Sequence, residues 1–245
     1  MPSPALPMSL PALQFEGVSK KFKRTPVLRD IGFEVSSGEL FGMVGINGAG
    51  KTTLIKGLLD FCDISSGSIR ISGIPHLLTA ARKPIAFLPE SFVPPHYLTG
   101  RDFLRYMLQL YGMRYRGHEA EGALAALDLD LSALSLPVRA FSKGMAQKLG
   151  LAACLLSRKE TYVLDEPTTG LDPKARALLK GELRRLQAEG RTVFFTSHSL
   201  ADVQEMCDRM ALLHRGELLF LGPPAALCRQ HGTDNLEQAF LRCIA

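Results

Sequence analysis

A glycine-rich segment of this chain has the composition and spacing of a phosphate-binding loop. Residues 45–52 read GINGAGKT, which fits the pattern G-x-x-x-x-G-K-[ST]. Glycines let such a loop curl until successive N–H groups converge on phosphate oxygens, and the following helix adds its positive dipole end. Lys51 is expected to reach the β- and γ-phosphates, and the Thr52 hydroxyl to ligate Mg²⁺. The candidate phosphate-binding residues are Gly45, Asn47, Gly48, Ala49, Gly50, Lys51, Thr52 and Thr53.

Two carboxylates follow a second apolar segment, TYVL (161–164). Asp165 offers the hard oxygen ligands that Mg²⁺ prefers. Glu166 is placed to position or deprotonate an attacking water, which makes it the candidate general base. An Asp-Glu pair could also be a helix-capping turn, but the phosphate-binding loop favours the catalytic interpretation. His198 ends the later apolar segment 192–197, where a γ-phosphate contact competes with an ordinary structural role.

Two further polar positions could take part in the same chemistry. Ser142 precedes a run with helical spacing and is a candidate N-cap, so its hydroxyl and the N–H groups near Gly144 could bind a γ-phosphate. The plain alternative is an ordinary capped helix. Glu90 follows the short apolar segment 85–88. It could be an active-site acid or base, a surface charge, or a substitute for another residue.

The elements that must position these residues alternate between strand and helix patterns. Strands are predicted at 12–18, 30–35, 40–45, 65–73, 84–90, 161–166 and 191–198, with a hairpin at 210–222 that turns at Arg215-Gly216. Helical spacing occurs at 54–61, 100–113, 118–130, 143–156 and 173–190, and at the end of the chain. The basic stretch 20–28 is predicted to be a turn, and the strandless region from about Thr99 to Leu156 a helical insertion. The pattern predicts an α/β fold with a mostly parallel sheet covered by helices.

Length and composition narrow the class of protein further. The 245 residues are 46% hydrophobic, which suffices for a core without disulfides or metals. The five cysteines form no C-x-x-C pair, which favours reduced thiols. No run of about 18 apolar residues occurs, so no membrane span is predicted. The proline-rich segment 1–11 predicts a flexible tail, and the net charge of +5 indicates solvated lysines more than a nucleic-acid surface.

Taken in order, these segments resemble the ATP-binding cassette (ABC) ATPase family. The likeness runs from about Leu13 to Leu241 and comprises the loop 45–52, the strand-end loop 88–90, the signature 142–145, the acidic strand 161–166, the D-loop 169–172 and His198. It implies a P-loop NTPase (RecA-like) core with an antiparallel β subdomain and a helical subdomain. The implied domain spans 12–245, with the core at 12–89 and 157–222, the helical subdomain at 90–156 and a C-terminal helical tail at 223–245.

The resemblance implies roles for residues outside the phosphate-binding loop. In the family two cassettes pack head to tail, so Ser142 and Gly144 of one chain would complete the ATP site of the other. Asp172 would communicate across the dimer. Phe22 matches the position of an aromatic side chain that stacks on adenine, with a core position as the alternative.

The implied catalytic residues are Glu166, His198 and Lys51, and the implied metal ligands are Thr52, Glu90 and Asp165. The chain departs from the family pattern in two places. Glu90 stands where glutamine is usual, so a metal-sensing and coupling role is expected for it. The usual signature LSGGQ reads FSKGM here, with Lys143 and Met145 as the uncommon residues.

The family assignment predicts an ATPase that uses ATP and Mg²⁺ to power transport, with export as the expected direction. The expected partners are a separate ABC-2-type permease and a second cassette, in a homodimer or heterodimer at the cytoplasmic face of the membrane, and no nucleic acid. Two alternatives stay open. One is a soluble ABC ATPase that acts on ribosomes or DNA, and the other is a P-loop kinase for a small molecule.

Overall fold

A computed structural model describes residues 10–244 of the chain, which leaves residues 1–9 of the predicted flexible tail outside the described range. The strands are β1 (Leu13–Phe22), β2 (Thr25–Val35), β3 (Leu40–Val44), β4 (Ser66–Ile71), β5 (Ile74–Pro75), β6 (Ile85–Leu88), β7 (Thr161–Leu164), β8 (Thr192–Ser197), β9 (Arg209–His214) and β10 (Glu217–Gly222). The α-helices are α1 (Lys51–Leu58), α2 (Gly100–Leu110), α3 (Gly117–Ala126), α4 (Lys143–Leu156), α5 (Pro173–Ala188), α6 (Leu200–Met206), α7 (Pro224–Gln230) and α8 (Leu236–Ile244).

The central sheet has the strand order β10-β9-β3-β8-β7-β6, and its neighbouring strands are parallel except for β10 with β9. Strands β3, β7 and β8 are buried along their whole length, as parallel strands covered on both faces require. The predicted mostly parallel sheet is therefore confirmed. Leu88, Leu164 and Phe195 pair across β6, β7 and β8, so β6 and β7 end level with one another and β8 continues two residues further. The segments that leave them meet along one edge of the sheet.

The two faces of the central sheet bury separate hydrophobic clusters. One cluster joins the sheet to α2–α6 and to the C-terminal helices α7 and α8. The other joins it to α1 and to a smaller antiparallel sheet with the order β2-β1-β4-β5. Stacked Phe15, Phe33 and Phe41 bridge the two sheets, with ring centroids 4.5 and 5.4 Å apart. The antiparallel sheet thus packs on the same core as the helix that follows the phosphate-binding loop.

The prediction of a basic turn at 20–28 is wrong. Strand β1 continues to Phe22 and β2 begins at Thr25, so the turn is the dipeptide Lys23-Arg24, with Lys23 in the left-handed region at φ 55°. Basic side chains on this ribbon project into solvent, and the Lys20 ammonium lies 4.8 Å from the Phe22 ring centroid. A cluster of basic residues is therefore not sufficient evidence for a turn, because long basic side chains also fit the exposed face of a β-hairpin.

The region from about Thr99 to Leu156 contains α2, α3 and α4, as predicted from the helical periodicity. Helix α4 approaches β6 closely at Gly150, where an added Cβ would lie 2.7 Å from a Leu88 methyl. The helix α6 was not predicted, although Ser199 caps it by accepting from the Asp202 N–H. Among residues 10–244, none of the helices combines the length and apolarity needed to cross a bilayer.

Candidate functional site

The glycine-rich loop connects β3 to α1 and owes its shape to two close approaches. An added Cβ at Gly45 would lie 2.3 Å from the Leu213 carbonyl oxygen. Gly50 has φ 111°, and an added Cβ there would lie 2.7 Å from a Leu28 methyl. Gly50 is also the N-cap of α1 and supplies no side-chain cap. The first N–H groups of the helix therefore remain available for an anion.

Lys51 is held inside the loop that precedes it. Its ammonium donates to the Gly45 carbonyl oxygen at 2.7 Å and lies 3.6 Å from Glu166 Oε1. Both side chains are almost fully buried, with 7% and 6% exposed. The charge of Lys51 is thus balanced by the carboxylate that follows β7, which lies two strands from β3 in the sheet.

Asp165 and Thr52 meet as the sequence predicts. The Thr52 hydroxyl donates to Asp165 Oδ2 at 2.9 Å, and the other carboxylate oxygen accepts from the Thr196 hydroxyl at 2.6 Å. Asp165 is 2% exposed, and its N–H donates to the Leu88 carbonyl oxygen at 2.9 Å. Hydroxyl groups from α1 and β8 therefore hold the Asp165 carboxylate, and a hydrogen bond to β6 anchors its backbone.

Glu166 lies where β7 turns away from the sheet, with an unusual φ of 50°. A left-handed conformation costs a non-glycine residue about 1–3 kcal/mol and is found preferentially at functional sites. The Glu166 N–H donates to Thr196 Oγ1 at 2.9 Å. Its Oε2 lies 2.7 Å from His198 Nδ1, on a ring that is 62% exposed. The carboxylate is therefore held between Lys51 and His198.

A cavity of about 320 Å³ lies over the phosphate-binding loop. Its lining comprises Val27, Ile46, Asn47, Gly48, Ala49, Gly50, Lys51, Thr52, Thr53, Glu90 and Glu166. Glu90 is exposed and makes no hydrogen bond or ion pair with any residue in 10–244. Phe22 is outside the lining and 49% exposed, which excludes the core position considered for it. It sits at the tip of the β1–β2 hairpin, which also carries the cavity residue Val27.

The signature segment lies apart from this cavity. Ser142 caps α4 as predicted, accepting from the Met145 N–H at 3.2 Å. Ser142 and Lys143 are exposed, whereas the following turns of α4 are buried. An added Cβ at Gly144 would lie 2.9 Å from the Gly170 carbonyl oxygen, so the signature packs against the loop that leaves Glu166.

Asp172 ends that loop and begins the next helix. Its Oδ1 accepts from the Ala175 N–H at 2.9 Å, and its Oδ2 lies 3.4 Å from the Lys148 ammonium. The backbone hydrogen bond from Ala175, together with Lys148, holds the pKa of the Asp172 carboxyl below its usual value. Lys148 belongs to α4, so Asp172 ties the signature helix to the D-loop of the same chain.

The sequence interpretation missed Val27 and Ile46 of the cavity lining, and it missed the polar residue that links the two acidic residues. Thr196 is fully buried and bonds both the Asp165 carboxylate and the Glu166 backbone. Two signals could have identified it: its place two residues before His198, and its being a polar residue directly after the apolar run 193–195. A buried hydroxyl in a central parallel strand requires a partner at the level of the strand ends.

The glycine-rich loop connects a buried parallel strand to a helix, and two carboxylates follow another strand of the same sheet. These features define a P-loop nucleotide-binding protein of the α/β class. The sequence profile of the family described as "ABC transporter" matches residues 28–169. The chain belongs to this family, as the resemblance predicted.

Two relatives illustrate the similarity. An uncharacterized ABC transporter ATP-binding protein of Synechocystis is 39% identical over 219 residues, which cover 88% of this chain and 61% of the relative. The Nod factor export ATP-binding protein I of Mesorhizobium japonicum is 36% identical over 224 residues, which cover 90% of this chain and 66% of the relative. The chain therefore spans about two thirds or less of the length of these relatives.

The fold has a close counterpart among solved structures. The structure described as an ATP-binding subunit of an ABC transporter superimposes with a TM-score of 0.85 at 28% sequence identity. The match covers 96% of this chain and 100% of that chain. The predicted combination of an α/β core, an antiparallel sheet and a helical region is thus confirmed as an ABC ATPase cassette fold.

Proposed function

We propose that this chain is an ATP-hydrolysing subunit that powers transport through a separate membrane permease. One observation carries the proposal: Lys51, the Thr52–Asp165 pair and the Glu166–His198 pair converge beside a phosphate-binding loop. Hydrolysis of a phosphoanhydride needs a phosphate cradle, a cation and a base at this spacing.

The contact between Lys51 and Glu166 suggests how nucleotide binding would prepare the base. A γ-phosphate in the loop would attract the Lys51 ammonium away from Glu166 Oε1, 3.6 Å distant. The carboxylate would then be free to accept a proton from the attacking water. His198 would keep it oriented through the 2.7 Å contact with Oε2, while the exposed edge of the ring faces the phosphate.

The residues present fit a magnesium ion. Mg²⁺ is held in such sites by one or two protein oxygens together with nucleotide phosphates. Thr52 Oγ1 and Asp165 Oδ2 are hard oxygens 2.9 Å apart beside the loop, and Glu90 adds a carboxylate to the cavity lining. Residues 10–244 contain no cluster of three or more His, Cys, Asp or Glu side chains suited to a metal, which agrees with a metal completed by phosphates. When bound, the ion would neutralise phosphate charge, and Glu90 would sense its presence.

A second cassette would complete the site. Ser142 and Gly144 do not line the cavity of their own chain. The exposed Ser142 hydroxyl accepts from the Met145 N–H, which leaves its own proton and the first N–H groups of α4 available to an anion. We assign them to the γ-phosphate bound by a partner cassette, with Asp172 at the same interface. Both halves of such a site occur in this chain, so a homodimer is sufficient. Phe22 is assigned to adenine, because its exposed ring lies on the hairpin that borders the cavity.

A separate apolar cavity is the proposed contact with the permease. It measures about 190 Å³ and is lined by Leu59, Phe61, Arg82, Ile85, Phe87 and Tyr111. The Phe61 ring is 64% exposed and meets Phe87 edge-on at 5.8 Å. The cavity joins the strand that leads to Glu90 with the end of α2. A short helix of an ABC-2-type permease is the assigned occupant, which would place the chain at the cytoplasmic face of a membrane.

The decisive experiment compares ATP turnover and assembly of Glu166→Gln with the unsubstituted chain. The variant should bind ATP with unchanged affinity, lose at least about a hundredfold in turnover, and form a stable dimer with ATP in analytical ultracentrifugation. Glu189→Gln, which removes an exposed carboxylate paired with Arg185, is the matched control and should behave normally. Full turnover by Glu166→Gln would refute the assigned base.

The alternatives make different predictions in the same preparation. A small-molecule kinase would release ADP only when an acceptor is added. A ribosome or DNA ATPase would sediment with those particles from lysate. Replacement of Phe61 by Asp should abolish co-purification with a membrane protein and leave ATP turnover of the isolated chain unchanged, since Phe61 lies outside the ATP site.

A further inference from the structure

A partly buried ion pair joins the two helices that leave the catalytic edge of the sheet. The Lys180 ammonium of α5 lies 2.7 Å from Asp202 Oδ1 of α6, with 17% and 9% of the two side chains exposed. Glu205, one turn further along α6, contacts the same ammonium at 2.6 Å. Neither Lys180 nor Asp202 was singled out by the sequence motifs.

The ion pair connects the helix that follows Glu166 with the helix that follows His198. Helix α5 begins at the end of the loop that leaves Glu166, and α6 begins two residues after His198. At the other end of these two segments, His198 Nδ1 lies 2.7 Å from Glu166 Oε2. A shift of α6 against α5 would therefore displace the imidazole relative to the carboxylate.

Stability alone does not account for this pair. Asp202 is buried and Lys180 is half-buried, so the cost of desolvating the two charges offsets much of their attraction, and apolar residues of similar size often stabilise a protein as well. Asp202 Oδ2 is buried and has no hydrogen-bond partner among the described residues, which adds a further cost. An ion pair with directional hydrogen bonds does, however, fix the position of α6 relative to α5 more specifically than apolar packing would.

We propose that Lys180 and Asp202 are positioning residues that hold His198 against Glu166 during ATP hydrolysis. This inference rests on the catalytic role that is proposed above for the Glu166–His198 pair. The pair acts by fixing α6, which has only seven residues and carries its N-cap at Ser199, directly after the histidine.

The test uses the full chain and three variants of the pair. Lys180→Arg retains the charge and should keep turnover within about twofold. Lys180→Met leaves Asp202 unpaired, and the double variant Lys180→Met with Asp202→Leu replaces both charges by apolar groups. The double variant should fold and bind ATP with a KM within about twofold, but its kcat should fall about tenfold because the imidazole is no longer aligned. Lys174→Met, which breaks an exposed 2.6 Å ion pair on the same helix, is the matched control.

A spectroscopic signature separates positioning from general destabilisation. In ¹⁵N NMR the hydrogen bond to Glu166 fixes the tautomer of His198, and its resonances, assigned by their loss in His198→Gln, should shift toward the free-imidazole pattern in the double variant. A double variant with normal kcat and unchanged resonances would overturn the proposal. So would a double variant that does not fold, because the pair would then serve stability. If His198→Gln itself keeps full turnover, the proposed function of His198 fails instead.

Discussion

Replacement of Thr196 by valine tests whether one buried hydroxyl organises both carboxylates of the proposed ATP site. The side chain is fully buried, and valine has nearly the same shape, so the substitution removes the hydroxyl without opening a cavity. The hydroxyl donates to Asp165 Oδ1 at 2.6 Å and accepts from the Glu166 N–H at 2.9 Å. Its loss would leave one charged acceptor and one backbone donor without this partner.

The expected cost follows from those two groups. A buried polar group that loses its partner costs about 1–3 kcal/mol, and more when it is charged. Thr196→Val should therefore lower the free energy of unfolding by about 2–5 kcal/mol. Turnover should fall at least about tenfold, because the Asp165 oxygens and the strained Glu166 backbone lose a shared anchor.

Two control variants separate the hydroxyl from the rest of the side chain. Thr196→Ser keeps both hydrogen bonds and deletes one methyl group, at a cost of about 1 kcal/mol. Thr192→Val lies on the same strand, but its hydroxyl accepts a single bond, from the half-buried Gly38 N–H at 2.9 Å. That change should cost only about 1 kcal/mol and leave turnover intact.

Urea denaturation with an unchanged m-value would provide the free energies, and a coupled assay the turnover. The order of stability should be wild type, then Thr196→Ser and Thr192→Val together, then Thr196→Val. If Thr196→Val lost less than about 1 kcal/mol and kept full turnover, the two hydrogen bonds would not organise the carboxylates. If Thr192→Val lowered stability and turnover as much as Thr196→Val, the loss would result from any threonine replacement in β8 and not from the hydrogen bonds to the two carboxylate residues.

Three further predictions concern the metal, the dimer and the thiols. Glu90→Gln should raise the Mg²⁺ concentration at half-maximal ATP turnover several-fold, and an unchanged Mg²⁺ profile would reduce Glu90 to a spacer. Ser142→Arg should abolish turnover without changing the ATP affinity of the monomer, whereas weaker monomer binding would place Ser142 in the site of its own chain. Burial raises the pKa of the Cys154 thiol to about 12 and also raises that of Cys207, so maleimide at pH 8 should label neither before unfolding. Because the folded pKa lies above the ordinary value of 9.0, stability gained from burying these neutral thiols should fall as pH rises above about 9.

The parallel character of the central sheet and the position of its ligand edge were predictable from residue patterns, whereas the strand order was not predicted. Continuous apolar runs such as 40–44 and 161–164 mark parallel strands, since only strands covered on both faces lack polar alternation. Once those strands were placed, the loop after the first and the carboxylates after the second had to share one edge. The same reasoning predicts that Thr52 and Asp165 lie at one edge of the sheet, where the Thr52 hydroxyl donates to Asp165 Oδ2 at 2.9 Å.

The contacts between side chains at that edge were not predictable in the same way. Helix α6 is too short for periodicity to reveal it, and its stability comes from packing and the Ser199 cap. The left-handed backbone of Glu166 has no sequence signal, because glutamate is not a residue that favours positive φ. The hairpin at Lys23-Arg24 was missed because its basic residues were interpreted by charge and not by alternation.

The left-handed backbone conformation of Glu166 allows its side chain to contact both Lys51 and His198. At φ 50° the chain turns sharply after β7, so the Glu166 N–H reaches Thr196 while its side chain remains between Lys51 and His198. In an ordinary extended conformation the residue would continue along the strand and move away from the phosphate-binding loop. The strain of about 1–3 kcal/mol is then offset by the backbone hydrogen bond and by the two charged contacts. Because Lys51 follows β3 while Thr196 and His198 both come from the end of β8, the geometry of the proposed base depends on the assembled sheet and not on the local motif.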